Sequence, residues 1–233
     1  MGIGPGPNGT PMTAAELSAW DGRVADLEAP PRRAFKTHAP AQLVPWKGGL
    51  GGLGTAKVIV VTRNPKDACV SMFHHARDVG AFRYKGDLHH FTTKLFLEGN
   101  VESGCFWAWH AGWEEAAAKH PQNVIWVSYE DLKRDFPGTV RKLAEFLDVP
   151  LTGATLAQVM DASSMKSMKA SYEAFSEHLT ATGGEAKTNH IRKGEMGSWR
   201  NDIKGALLAE FDAVHRAKTD LHKLRYQFDF GGP

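Results

Sequence analysis

The 233-residue chain is 42% hydrophobic and 23% charged, ordinary globular proportions that exclude a disordered protein and allow one sizeable core. With 28 Lys and Arg against 26 Asp and Glu, the net charge of +2 excludes a general electrostatic trap for nucleic acid or anionic lipid, so any anion site must be local. The two cysteines, Cys69 and Cys105, are too few for a disulfide scaffold, lack zinc spacing and are expected as buried thiols.

Residues 1–12, rich in Gly and Pro, read as a loose tail, and residues 13–233 as one domain. Thr13 and Glu16 form a capping box, and Leu17, Trp20, Val24 and Leu27 fall at helical spacing, which predicts a helix over 13–28. Ala34 to His38 is a candidate short strand, and Gly48 to Gly54 a flexible loop. Lys57 to Thr62 is a continuous β-branched run, the pattern of a strand buried on both faces in a parallel sheet. Asn64 then stands as an N-cap with Pro65 at N1, which starts a helix over 65–78. A helix over 102–119 leads into a second strand, Asn123 to Ser128. Further helices are expected over 137–147, 152–161 and 206–217, with a long loop over 180–199.

Several patterns carry little chemistry. Gly49 to Gly54 matches Gly-x-Gly-x-x-Gly but precedes a strand instead of opening a helix, the wrong place for a dinucleotide. The pairs His74-His75 and His89-His90 lack the i, i+4 spacing of a zinc motif, so no metal is expected. Trp107, Trp109 and Trp113 are expected in the core. No run reaches the roughly 18–20 apolar residues of a membrane span and no secretory signal opens the chain, which reads as soluble and cytoplasmic. No basic stripe is interleaved with aromatics, and no nucleic-acid partner is expected.

The junction Val60 to Asp67 is the main chemical clue. A strand ending in Arg63 and passing directly into a helix offers free backbone N–H groups, the positive end of a helix and a planar fork for phosphate, with Ser71 as a further donor. The alternative is an N-cap beside a surface arginine. A second basic cluster, Arg192-Lys193-Gly194, lies in the late loop.

Lys36-Thr37-His38 with Pro40, Arg63-Asn64-Pro65-Lys66-Asp67 with Ser71, Tyr129 to Lys133, and Arg192-Lys193-Gly194 with Gly197 and Trp199 occur in the order of the cytosolic sulfotransferases, which the chain resembles over roughly residues 31–211. The resemblance implies a three-layer α/β/α fold with a central parallel sheet, akin to the P-loop nucleotide kinases. It implies sulfonate transfer from 3′-phosphoadenosine 5′-phosphosulfate to a hydroxyl, or an amine, of a small acceptor. On it, Arg63 and Ser71 hold the 3′-phosphate and Arg192, Lys193 and Gly194 form the second clamp. Tyr129, Ser164 and Met165 meet the adenine, His38 is the general base, and Lys36 stabilises charge on the sulfonyl oxygens. Imidazole suits the first of those tasks because it accepts protons near neutral pH.

The sequence departs from that pattern in three places. No loop resembling Tyr-Pro-Lys-Ser-Gly-Thr-Thr-Trp is present and residues 1–35 contain no lysine, so the expected sheet lacks its first strand and loop. Such a chain is either an incomplete form of an active enzyme or a natural short form that binds nucleotide without efficient transfer. Arg200, Lys204-Gly205 and Ala209 depart from the family's dimer segment, so the usual dimer is not expected. Phe106 and Trp109 replace a Trp and a His, so no named acceptor is carried over.

Overall fold

A computed structural model describes residues 34–44, 52, 54–78, 82–181, 191 and 194–230. The expected helix over 13–28 and most of the glycine loop lie outside the described residues. The chain divides into two units, 1–39 and 40–233. In the first, residues 34–39 take no regular structure, so the candidate strand over Ala34 to His38 does not form.

The second unit opens with a 3-10 turn, Ala41–Leu43, and strand β1, Val58–Thr62. Helix α1, Pro65–Asp78, follows after two residues. Asn64 caps it as the sequence predicts: its side-chain Oδ1 accepts from the Asp67 N–H at 2.8 Å. A single turn, Leu88–His90, runs into a π-helical stretch, Phe91–Phe96. Helix α2 spans Phe106–Lys119 and β2 spans Val124–Ser128. Four helices come next: α3 (Tyr129–Arg134), α4 (Phe136–Phe146), α5 (Gly153–Ala162) and α6 (Met165–Ala181). A 3-10 turn, Ser198–Asn201, and helix α7, Gly205–Leu221, precede a tail without regular structure.

The strands pair in parallel, with Val58 opposite Val124 and Thr62 opposite Ser128, so both end at the same edge. This is an α/β fold built on a parallel sheet. β1 is not buried on both faces, contrary to the pattern of its residues. Val60 and Thr62 are buried, but Ile59 and Val61 are 38% and 59% exposed. The apolar run records a strand able to take cover on both sides, and among the described residues only one side is covered.

Two cores hold the unit together. The larger joins Cys69, Val70 and Phe73 of α1 to Phe91, Phe96, Trp107, Trp199, Ile203, Phe211 and Leu224. The smaller joins the first turn, β1, α2 and β2 through Ala41, Val60, Trp113, Ala116 and Val124. Helix α2 serves both, Trp107 in one and Trp113 in the other, while Trp109 is only half-buried. Of the thiols, Cys69 is buried, where desolvation pushes it up to about 12, and Cys105 is only partly so.

Candidate functional site

The carboxyl ends of β1 and β2 carry Arg63 and Tyr129 one residue past the paired positions Thr62 and Ser128. The parallel register therefore brings the two together. The Arg63 guanidinium lies over the Tyr129 ring at 4.5 Å, and its Nη2 donates to the Glu195 carbonyl at 3.0 Å. Its Nε is buried without a hydrogen-bond partner among the described residues, which marks a donor left for a further acceptor. Burial pushes the Tyr129 phenol up, partly offset by the Arg63 charge.

Gly194 enters from the far end of the sequence. Its φ of +67° favours glycine, and a Cβ there would lie 2.7 Å from the Met165 Sδ, so a side chain would be strained and would push the Met165 thioether aside. Arg63, Tyr129, Gly194 and Met165 are thus linked through residues 194 and 195. Ser164 lies at the same helix start, where its Oγ accepts from the Ser167 N–H at 3.1 Å and caps α6. Ser71 is exposed on α1. Lys36 and His38 are exposed in the first unit, where the Thr37 hydroxyl accepts from the Ala39 N–H at 3.1 Å. Arg192 and Lys193 lie outside the described residues.

At the start of α1, two of the N–H groups expected to face an anion are bonded within the chain. The Asn64 N–H donates to Glu130 at 3.0 Å and the Asp67 N–H to Asn64, while Pro65 has none. Two of the N–H groups at that terminus are thus taken by the chain's own oxygens, and the Arg63 fork stands beside them.

Two buried carboxylates, Glu130 and Asp67, organise the junction, and no local sequence pattern assigns them this work. Glu130 Oε1 also accepts from Asn64 Nδ2 at 2.9 Å and so locks α3 to the start of α1. Asp67 accepts from the Gly197 and Trp199 N–H groups at 2.7 and 3.0 Å. Beside them the Lys66 ammonium pairs with Asp212 at 2.6 Å under the rings of Trp199 and Phe230. Behind β1, Thr62 Oγ1 meets the buried His110 Nε2 at 2.6 Å, and the other ring nitrogen faces the Phe106 carbonyl at 2.8 Å. Only the ring's N–H can serve a carbonyl, so Nδ1 donates and the Thr62 hydroxyl donates to Nε2. Desolvation pulls this imidazole down to about 4.

The sulfotransferase domain family matches residues 20–223. Mouse sulfotransferase 1B1 is 31% identical over 92% of this chain and 71% of its own length. Mouse sulfotransferase 2B1 is 31% identical over 82% of this chain, which spans about half (55%) of that relative. Among solved structures, mouse sulfotransferase SULT7A1 complexed with PAP superposes with a TM-score of 0.69 at 26% identity, over 91% of this chain and 73% of that one. A retinol dehydratase in a complex with retinol and PAP reaches 0.70 at 22% identity, over 91% and 64%. No helix among the described residues is long and apolar enough to cross a membrane. With a parallel sheet ending in Arg63 and Tyr129 and a match over most of its length, the chain belongs to the sulfotransferase family.

Proposed function

We propose that the chain binds 3′-phosphoadenosine 5′-phosphosulfate and transfers its sulfonate to a hydroxyl, or an amine, of a small acceptor. The observation that carries this is the Arg63 guanidinium, held by the Tyr129 face and the Glu195 carbonyl with its Nε buried and unmatched. A planar cation with a spare donor fits a phosphate, and the solved relatives complexed with PAP support that ligand. Arg63 and Ser71 hold the 3′-phosphate, assisted by Arg192, Lys193 and Gly194, and Tyr129, Ser164 and Met165 face the adenine. The nucleotide supplies an activated sulfonate. His38 takes the proton from the acceptor as its oxygen attacks sulfur and the bond from sulfur to the phosphate oxygen breaks, and Lys36 carries charge on the sulfonyl oxygens. No metal is needed for that exchange, and the protein works as a soluble cytoplasmic enzyme.

A second reading is nucleotide binding without efficient transfer. It is favoured by the absence from this sequence of a phosphosulfate loop and of any lysine in residues 1–35. Loss of one oriented transition-state donor costs on the order of 10²–10³ in rate.

Thermal unfolding with 3′-phosphoadenosine 5′-phosphate, against adenosine 5′-phosphate as control, tests the binding. At a hundredfold excess over Kd, ligand adds ~2.7 kcal/mol, and Tm rises by roughly 5–11 °C. The rise is expected only with the 3′-phosphate and is lost in Arg63→Gln; equal shifts with both nucleotides would remove the assignment. His38→Ala separates the two readings: it abolishes transfer and spares binding if the chain is an enzyme, and changes neither measurement if it only binds.

A further inference from the structure

We propose that Asp67 is a positioning residue for nucleotide recognition: its buried carboxylate fixes the segment 194–199 against the junction of β1 and α1, so that Arg63 and Gly194 stand at one place. The inference rests on the reading of Arg63 as the ligand of the 3′-phosphate.

Asp67 is 1% exposed. Its Oδ2 accepts from the Gly197 N–H at 2.7 Å and from Asn64 Nδ2 at 2.9 Å. Its Oδ1 accepts from the Trp199 N–H at 3.0 Å and the Ser198 hydroxyl at 3.3 Å, with Arg63 Nη2 3.9 Å away. Three of those four donors belong to one short segment far away in sequence. Capping α1 does not explain the group, since Asn64 already does that. Burying a carboxylate is costly unless donors surround it. The arrangement here is complete because an ionised carboxylate accepts on both oxygens and donates nothing.

The held segment reaches the proposed nucleotide site at its other end. Gly197 turns the chain at φ +70°. Upstream, the Glu195 carbonyl takes the Arg63 bond and Gly194 seats against Met165. Arg192 and Lys193 directly precede Gly194 in the chain. Asp67 therefore sets where the segment that carries Gly194 and the Glu195 carbonyl stands against the strand end that carries Arg63. Small misplacements at such a clamp are costly in binding and rate.

Asp67→Asn is nearly isosteric but turns an amide NH₂ toward backbone N–H donors, whichever way it is flipped. Affinity for 3′-phosphoadenosine 5′-phosphate is expected to fall roughly 10- to 100-fold, as when a group orienting a binding side chain is lost. Affinity for adenosine 5′-phosphate should change less than about twofold, a split that a merely structural role would not produce. Amide hydrogen exchange of the wild-type chain supplies a measurement that does not depend on the variant folding. Exchange at Gly197 and Trp199 should slow with the 3′-phosphorylated nucleotide and not with the control. If the wild type discriminates between the nucleotides and Asp67→Asn discriminates equally well, or loses both alike, the inference is overturned and the nucleotide reading stands. Unchanged exchange at Gly197 and Trp199 overturns it too. If the wild type does not discriminate, the nucleotide reading itself falls and takes this inference with it.

Discussion

His110 shows how a single side chain links the core to the site. It is 3% exposed, ringed by Phe106, Trp109, Trp126 and Phe228, and bonded to the residue before Arg63. An unfolded imidazole binds its proton near pH 6.5 and this one only near 4. Between those values the unfolded chain holds more protons than the folded one, so stability falls as pH drops through the window, by up to about 3 kcal/mol. The half-buried His215, pulled down by desolvation and then by Lys66, acts in the same direction. Denaturant melts from pH 7 to 4 should show this slope, and His110→Gln should flatten it; an unchanged slope in the variant would assign the loss to other groups. Part of this setting is local, since Phe106 and Trp109 lie within one helical turn, but Thr62 and Phe228 reach the ring from elsewhere in the chain.

At the scale of elements, the starts of helices were the most legible feature. Asn64 with Pro65 is a cap whose bond the structure contains, since capping needs only residues within one turn; the Thr152 hydroxyl, which accepts from the Thr155 N–H, is a cap that the structure adds. Helix α6, Met165–Ala181, is not among the helices expected from the sequence, and its last two residues fall where a loop is expected. The two faces of β1 offer a direct test. Val60→Ala should cost roughly 1.5–3 kcal/mol, the value of a buried valine. Val61→Ala should cost under about 0.5 kcal/mol, as at an exposed position. Equal losses in urea melts would mean that the outer face of β1 is covered after all.

For the whole molecule, the C-terminal tail closes what the helices leave open. Leu224 is buried in the larger core, with Phe228 and Phe230 against it. Glu114 accepts from the Arg225 and Tyr226 N–H groups. Asp229 pairs with Arg134, and the Phe230 carbonyl accepts from Trp199 and Arg200. Truncation after Lys223 should cost about 3 kcal/mol or more and lower Tm by roughly 6–12 °C; a Tm within about 2 °C of the full chain would make the tail an ornament. The sequence by itself determined the α/β class, both strands and the Asn64 cap, because periodicity and capping are local and each is written within a few residues; it offered Arg63 from the strand-to-helix junction and Gly194 from a basic cluster, while Tyr129 and Met165 entered only through the family resemblance. It also suggested a sheet strand covered on both sides, an open helix terminus for an anion and two buried thiols. Only the tertiary structure decided that Ile59 and Val61 stay exposed, that Glu130 and Asn64 occupy the helix terminus, that Cys105 is partly open, and that Asp67 gathers the segment at 197–199. Burial and hydrogen-bond partnership are set by residues far apart in the chain, and a sequence records which groups can be buried or paired but not which neighbours arrive.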